Sequence, residues 1–354
     1  MYANGLQASK EMIYKRLNRR QINYHVNHLN VIKHLSIDKI TIPSKNPPKN
    51  NLILSSGLHG IEGYVGQIML EHFINHNLSQ LSHTKVIIYH PINPYGFEHE
   101  RRVNESNVDL NRNFSQDSFK SDNKHYEKAY NYFKPKAKNN IITANISFYY
   151  KTMVRILKQG MRSFKVATLY GQHILPDGIY YQGLDFEKST QLMKQEIAQL
   201  KTSKIPFVWV DLHTGYGPSD QMSIINSPYE KNDYNFFRTK LDYPLVLGAT
   251  QSDFYLIDGD MIDYIYQNTH SKQNLYSTCF EFGTLGESTF NTLESLKAMI
   301  FENISEQTNS SPAFNAYSKK HFKALFMPNE KAWLNKAKID FNRAIEGIIK
   351  TYLK

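Results

Sequence analysis

Apolar and polar positions fall in blocks along the chain, and each block predicts an element. Leu52–Ser55 is a short apolar run of the kind that forms a buried strand, and Lys85–Tyr89 is a second, rich in β-branched residues. Between them, Gly57–Gly63 is a glycine-rich turn, and Val65–Ile74 spaces its apolar residues as a helix. The order strand, loop, helix, strand predicts an α/β fold, with a mixed, mostly parallel central β-sheet flanked by helices. Phe207–Val210, Leu245–Ala249 and Ser277–Phe282 read as further strands. Helical spacing recurs at Ile146–Leu157 and Ser189–Leu200, and Lys331–Leu353 reads as a long closing helix. Residues 1–50 open with a helix, then become mixed and end in the turn-rich Pro43-Ser44-Lys45-Asn46-Pro47-Pro48. Phe114–Lys138 reads as loop with some helix. Gly171–Gly183 is dense in turn, polar and aromatic residues, fit either to wall a cleft or to lie on the surface. No stretch approaches the ~18 apolar residues of a membrane span, and the first twenty residues lack the apolar stretch of a secretory signal.

Composition narrows this picture. With 354 residues, 41% of them hydrophobic, the chain is long enough for one large globular unit. A single catalytic unit over 1–354 is expected, with a motif-bearing core at about 50–290, an insertion at about 115–205 and a C-terminal helical segment at about 318–354. The one cysteine, Cys279, excludes an internal disulfide and fits a reducing compartment, so a cytoplasmic location is expected. It also excludes a thiolate-rich metal site, leaving histidine and carboxylates as ligands. The net charge of +10 raises the possibility of a nucleic-acid partner. The positive residues read as spread along the chain rather than gathered into one block, however, and no recognised DNA- or RNA-binding motif accompanies them. A basic field also draws anionic substrates such as peptide carboxylates.

The chemistry is concentrated at two strand ends. His59 and Glu62 lie in the glycine turn that follows Leu52–Ser55, and His213 follows Phe207–Val210. Two imidazoles and a carboxylate are the three protein ligands of a catalytic zinc, which keeps a fourth position open. In α/β sheets such groups collect outside the carboxyl ends of the strands. In Asp109-Leu110-Asn111-Arg112, Arg112 can hold a carboxylate by paired hydrogen bonds, and Asn111 can add a donor. Asp109 can accept the second ring N–H of a metal-bound histidine. Glu281 is a carboxylate inside a β-type apolar run, costly to bury unless paired or functional, and beside a metal it would serve as a proton acceptor.

His59-x-x-Glu62, Asn93-Pro94-x-Gly96-Phe97, Asp109-Leu110-Asn111-Arg112-Asn113-Phe114, His213 and Phe280-Glu281 occur in the order seen in zinc metallocarboxypeptidases. The chain resembles that family over about residues 50–290. The wider group includes the succinylglutamate desuccinylase and aspartoacylase branch. The resemblance implies the zinc-carboxypeptidase fold and one zinc ion held by His59, Glu62 and His213, with Asp109 behind His59. It implies Asn111 and Arg112 as the grip on a substrate carboxylate and Glu281 as general base and acid. An arginine before the Asp-Leu-Asn-Arg motif polarises the scissile carbonyl in the family; Arg101 and Arg102 compete here, with Arg102 taken for that role and Arg101 for substrate binding. Tyr255 is the candidate for the family's mobile tyrosine. A metallocarboxypeptidase acting on a peptide is therefore expected. An N-acyl amino acid deacylase and a non-catalytic binding protein on the same fold are the rivals.

Overall fold

The computed structural model describes residues 2–116, 123–248 and 257–354, with only the backbone described at residues 165 and 169. Tyr255 lies outside the described residues. Eight strands are described: β1 (His25–Ile32), β2 (Leu35–Ile42), β3 (Asn50–Ser56), β4 (Thr84–His90), β5 (Phe207–Gly215), β6 (Met222–Asn226), β7 (Val246–Gly248) and β8 (Asn274–Gly283). They form one mixed sheet in the order β1-β2-β4-β3-β5-β8-β6-β7. Its centre, β4-β3-β5-β8, is parallel, and antiparallel pairs occur only toward the edges. The mixed, mostly parallel α/β fold expected from the apolar blocks is the one observed.

The helices are α1 (Leu6–Arg19), α2 (Gly63–His76), α3 (Ile141–Gln159), α4 (Met161–Leu169), α5 (Lys188–Thr202), α6 (Met261–Asn268), α7 (Thr289–Gln307), α8 (Pro312–Phe326) and α9 (Lys331–Ile348), besides shorter turns. Alternation along β5 divides them between two faces. Val208, Val210 and Leu212 pack with Val65 and Met69 of α2 and with Phe341 and Ile345 of α9. Phe207 and Trp209, on the other face, pack with Met193 and Ile197 of α5 and Met261 and Ile265 of α6. A third core joins α3 and α4 to α7 and α8 through Phe148, Phe164, Phe301, Phe314 and Phe322. Among the described residues, no helix is long and apolar enough to cross a membrane.

Residues 20–42 hold a β-hairpin where only mixed structure was read. β1 is an edge strand carrying His25, Asn27, His28 and Asn30, and a bulge near Asn30 breaks its alternation, so no clean period of two survives. The hairpin is fixed from α1, whose buried Lys10 donates to Ser36 O at 2.8 Å and to Asp38 Oδ1 at 2.7 Å. Two observed strands are longer than their apolar runs. β5 continues through Gly215 and β8 through Gly283, so His213 joins Glu281 inside a strand, directly opposite it in register.

Candidate metal centre and active site

Backbone approach builds the first half of the site. After β3, Gly57 turns at φ +70°, and Gly60 to Glu62 make one 3₁₀ turn that places His59 and Glu62 together. The Asn93-Pro94-x-Gly96-Phe97 motif braces that turn. Asn93 Oδ1 accepts from Gly96 N at 2.8 Å, and Asn93 N donates to Gly57 O at 2.8 Å. A β-carbon at Gly60 would stand 2.0 Å from the Gly96 carbonyl carbon, so only glycine admits this contact. Gly60 N and Ile61 N also donate to the carbonyls of Arg102 and Arg101.

His59, Glu62 and His213 converge at one point, each buried. His59 Nδ1 lies 3.0 Å from Glu62 Oε1, His213 Nδ1 lies 3.0 Å from Glu62 Oε2, and the two Nδ1 atoms are 3.2 Å apart. The outer nitrogens face carboxylates: His59 Nε2 meets Asp109 Oδ1 at 3.0 Å, and His213 Nε2 meets Asp211 Oδ2 at 2.6 Å. A carboxylate only accepts, so the outer nitrogens donate to Asp109 and Asp211, and each inner nitrogen meets Glu62 as a donor when its ring is protonated or can offer a lone pair to an ion when the ring is neutral. With both rings neutral, the two inner nitrogens and the Glu62 carboxylate would offer their lone pairs to one cation between them. A tetrahedral ion with bonds of roughly 2.0–2.1 Å sets its ligands roughly 3.3 Å apart, close to the spacing observed. The donor set therefore fits a divalent zinc-like ion.

The same groups hold one another's charges. Burial alone would raise the Glu62 carboxyl, but His59 and His213 hold it well below the ordinary range. Burial would lower the His213 imidazole, but Asp211 and Glu62 lift it well above its ordinary value. Asp109, fully buried, is also held low against burial, by Arg112, Arg102 and His59.

The remaining predicted residues divide. Arg102 reaches the centre, with Nη1 2.9 Å from Glu62 Oε1 and Nε 3.1 Å from Asp109 Oδ2. Arg101 is carried elsewhere: its Nε donates to Glu302 Oε1 at 2.8 Å and its Nη2 to Asn107 Oδ1 at 3.1 Å. Arg112 donates to Asp109 Oδ2 at 2.6 Å, under the Tyr180 ring. Asn111 spends its amide inside the protein, donating to Asp260 Oδ2 at 2.8 Å and accepting from Met261 N at 3.0 Å. Asp260 also borders a cavity of about 370 Å³ lined in part by Tyr170, Tyr229, Asp258 and Asp263. Glu281 lies across from His213 and accepts from Tyr216 N at 2.9 Å. Burial, then the Glu62 carboxylate, pushes its carboxyl up to about 8. Cys279, two residues before it on the same face of β8, joins His213 and Glu281 in a group whose polar atoms lie within 4.8 Å of one another.

Asp211 was not singled out in the sequence, although its i, i+2 spacing from His213 places both on one face of β5. Behind it, Ser55 Oγ donates to Asp211 Oδ1 at 2.6 Å and accepts from Trp209 Nε1 at 2.7 Å. Tyr180 belongs to the Gly171–Gly183 stretch, which reads in sequence as fit either to wall a cleft or to lie on the surface. The Gly171–Gly183 loop carries it inward, and Asp109 N is held by Tyr181 O at 2.8 Å. Removing a carboxylate behind a ligating histidine typically costs 10–100-fold in metal affinity. If the three groups hold a metal ion, Asp211→Asn is expected to weaken its binding by about that factor in a chelator competition titration; unchanged affinity would remove Asp211 from the site.

Residues 18–339 match the model of a family described as Protein of unknown function (DUF2817). The chain belongs to this family. No curated protein matches its sequence. Among solved structures, this family member is similar to thrombin-activatable fibrinolysis inhibitor, at 15% identity and TM-score 0.53, over 92% of this chain and 75% of the other. The bovine form of that protein, in complex with tick carboxypeptidase inhibitor, gives 14% identity and TM-score 0.53, over 92% and 97% of the two chains. Carboxypeptidase A from Helicoverpa armigera gives 14% identity and TM-score 0.49, over 95% and 74%. At such identities the likeness is one of fold, and that fold is the carboxypeptidase type that the motif order implied.

Proposed function

We propose that this chain is a zinc-dependent hydrolase of the metallocarboxypeptidase kind, cleaving an amide bond beside a free carboxylate, with His59, Glu62 and His213 holding one zinc ion. The observation that carries this reading is the pair of inner imidazole nitrogens, 3.2 Å apart and each 3.0 Å from the same carboxylate. Zinc, when bound, supplies Lewis-acid polarisation of a carbonyl and lowers the pKa of water. Asp109 and Asp211 fix the tautomers of the two histidines. Glu281, half-buried beside them, takes a proton from the attacking water and returns it to the leaving amine. A cation on Glu62 would neutralise the carboxylate that now raises Glu281, readying it as an acceptor. Arg102 places positive charge where the carbonyl oxygen develops negative charge.

Asp109 is shared by the guanidinium groups of Arg102 and Arg112, of which Arg102 also pairs with Glu62, and a substrate carboxylate would meet these two cations. Asn111 then acts mainly by seating Arg112 through its bonds to Asp260 and Met261. Tyr255 remains the proposed mobile tyrosine.

The test is metal analysis joined to a substrate library of C-terminal peptides and N-acyl amino acids, read by mass spectrometry. About one zinc per chain is expected, with hydrolysis that chelation abolishes and zinc restores. A folded protein unable to take up zinc, or hydrolysis indifferent to its removal, would overturn the proposal.

A further inference from the structure

Helix α3 presents an apolar stripe to solvent. Ile142, Ile146, Tyr150, Met153 and Leu157 are 70%, 64%, 69%, 61% and 78% exposed, and Met161, at the start of α4, extends the line at 39%. From Ile142 to Leu157 the spacing of four, four, three and four residues puts them on one side of α3, and Met161 lies beyond the break at Gly160. The opposite side, with Ala144, Phe148 and Thr152, is the one buried in the third core. Scattered surface apolar residues need no explanation, but a continuous stripe of this length marks an interaction face.

Charge identifies what the face meets. From Lys128 to Pro176 the sequence holds nine lysines and arginines and no acidic residue, whereas the whole chain has a net charge of +10. The positive charge is thus gathered, contrary to the spread that was read from the sequence. Lys151 and Lys158 project beside the stripe, and both are exposed. A second copy would set one basic face against another. Nucleic acid would satisfy the cations and leave the aliphatic stripe in water. A helix with a basic flank and an outward Ile, Tyr, Met and Leu stripe matches the chemistry of an anionic bilayer surface, where apolar side chains enter the acyl boundary and lysines meet the headgroups.

We propose that α3 docks this protein on anionic lipid bilayers, lying in the interface without crossing it. The insertion that carries α3 also supplies Tyr180 to the Arg112 guanidinium, so docking would hold the candidate site close to the membrane.

The test is flotation of the full chain with vesicles of phosphatidylcholine alone or mixed with phosphatidylglycerol, at low and high salt. Binding to the mixed vesicles should exceed binding to neutral ones by about tenfold or more and should weaken with salt. Ile146→Asp with Leu157→Asp should abolish it. Lys151→Glu with Lys158→Glu should reduce it while leaving metal uptake and thermal unfolding unchanged. All four positions are exposed, so the fold should tolerate these changes. Absence of binding to mixed vesicles at low salt would overturn the proposal, as would binding that survives the Asp pair. A wild-type dimer that the Asp pair converts to monomer would assign the stripe to self-association instead. Binding to heparin or nucleic acid in preference to mixed vesicles would assign the charge to a polyanion.

Discussion

Glu281→Gln should keep wild-type zinc content and lose about 10²–10⁴-fold in kcat, with little change in KM. The substitution preserves shape and still offers an oxygen to Tyr216 N, the hydrogen bond that now orients the side chain. What it removes is the capacity to take up and return a proton. Glu281 is not among the three converging groups His59, Glu62 and His213 but shares a second group with His213 and Cys279, so the zinc content of the variant tests whether metal binding and proton transfer separate at this position. Turnover by the variant within a few-fold of wild type, on a verified substrate, would exclude Glu281 as the base. Loss of zinc together with activity would instead make it part of the metal site.

The second large effect is expected at Glu62. Its carboxylate is approached by both inner nitrogens, by Arg102 and by Thr214 N at 3.0 Å. Glu62→Gln leaves two imidazoles and removes the only anion at the centre of the group. Losing a residue that merely orients a ligand costs 10–100-fold in affinity, so losing the anionic ligand should cost more than about 100-fold. The variant should release zinc on dialysis and show hydrolysis at background. Comparing thermal unfolding of metal-free wild type and variant separates loss of the ion from loss of the fold. Stoichiometric zinc in a folded Glu62→Gln protein would contradict the ligand set.

The parts of this molecule that are legible in sequence are those where a local pattern equals a local environment. Leu52–Ser55 and Phe207–Val210 are buried on both faces in a parallel sheet and so read as continuous apolar runs. His59 and Glu62 are legible because the glycines around them announce a forced turn. β1 is hidden because an edge strand is mostly solvated and carries polar residues on both sides. β6, α4, α6 and α7 left no boundary signal strong enough to be read, and the helical segment expected at about 318–354 takes in only the second half of α8. At the site, the competition between Arg101 and Arg102 was undecidable from adjacency: neighbouring side chains diverge, and only the fold brings Glu302 beside the first. Asn111 is a related case, since its type fits a substrate donor while its partners, Asp260 and Met261, lie far along the chain. Asp211 was legible in principle, because two residues along a strand is the shortest distance that returns to the same face.

His59 and His213 stand 154 residues apart, and β3 and β5 must already be paired before their rings can face each other. A nascent polypeptide that has emerged only through the first turn offers a single imidazole and a single carboxylate, too few to retain an ion against cellular chelators. A metal ion held by the proposed ligands would consequently be acquired late, after β3 and β5 have paired rather than as the nucleus of their pairing.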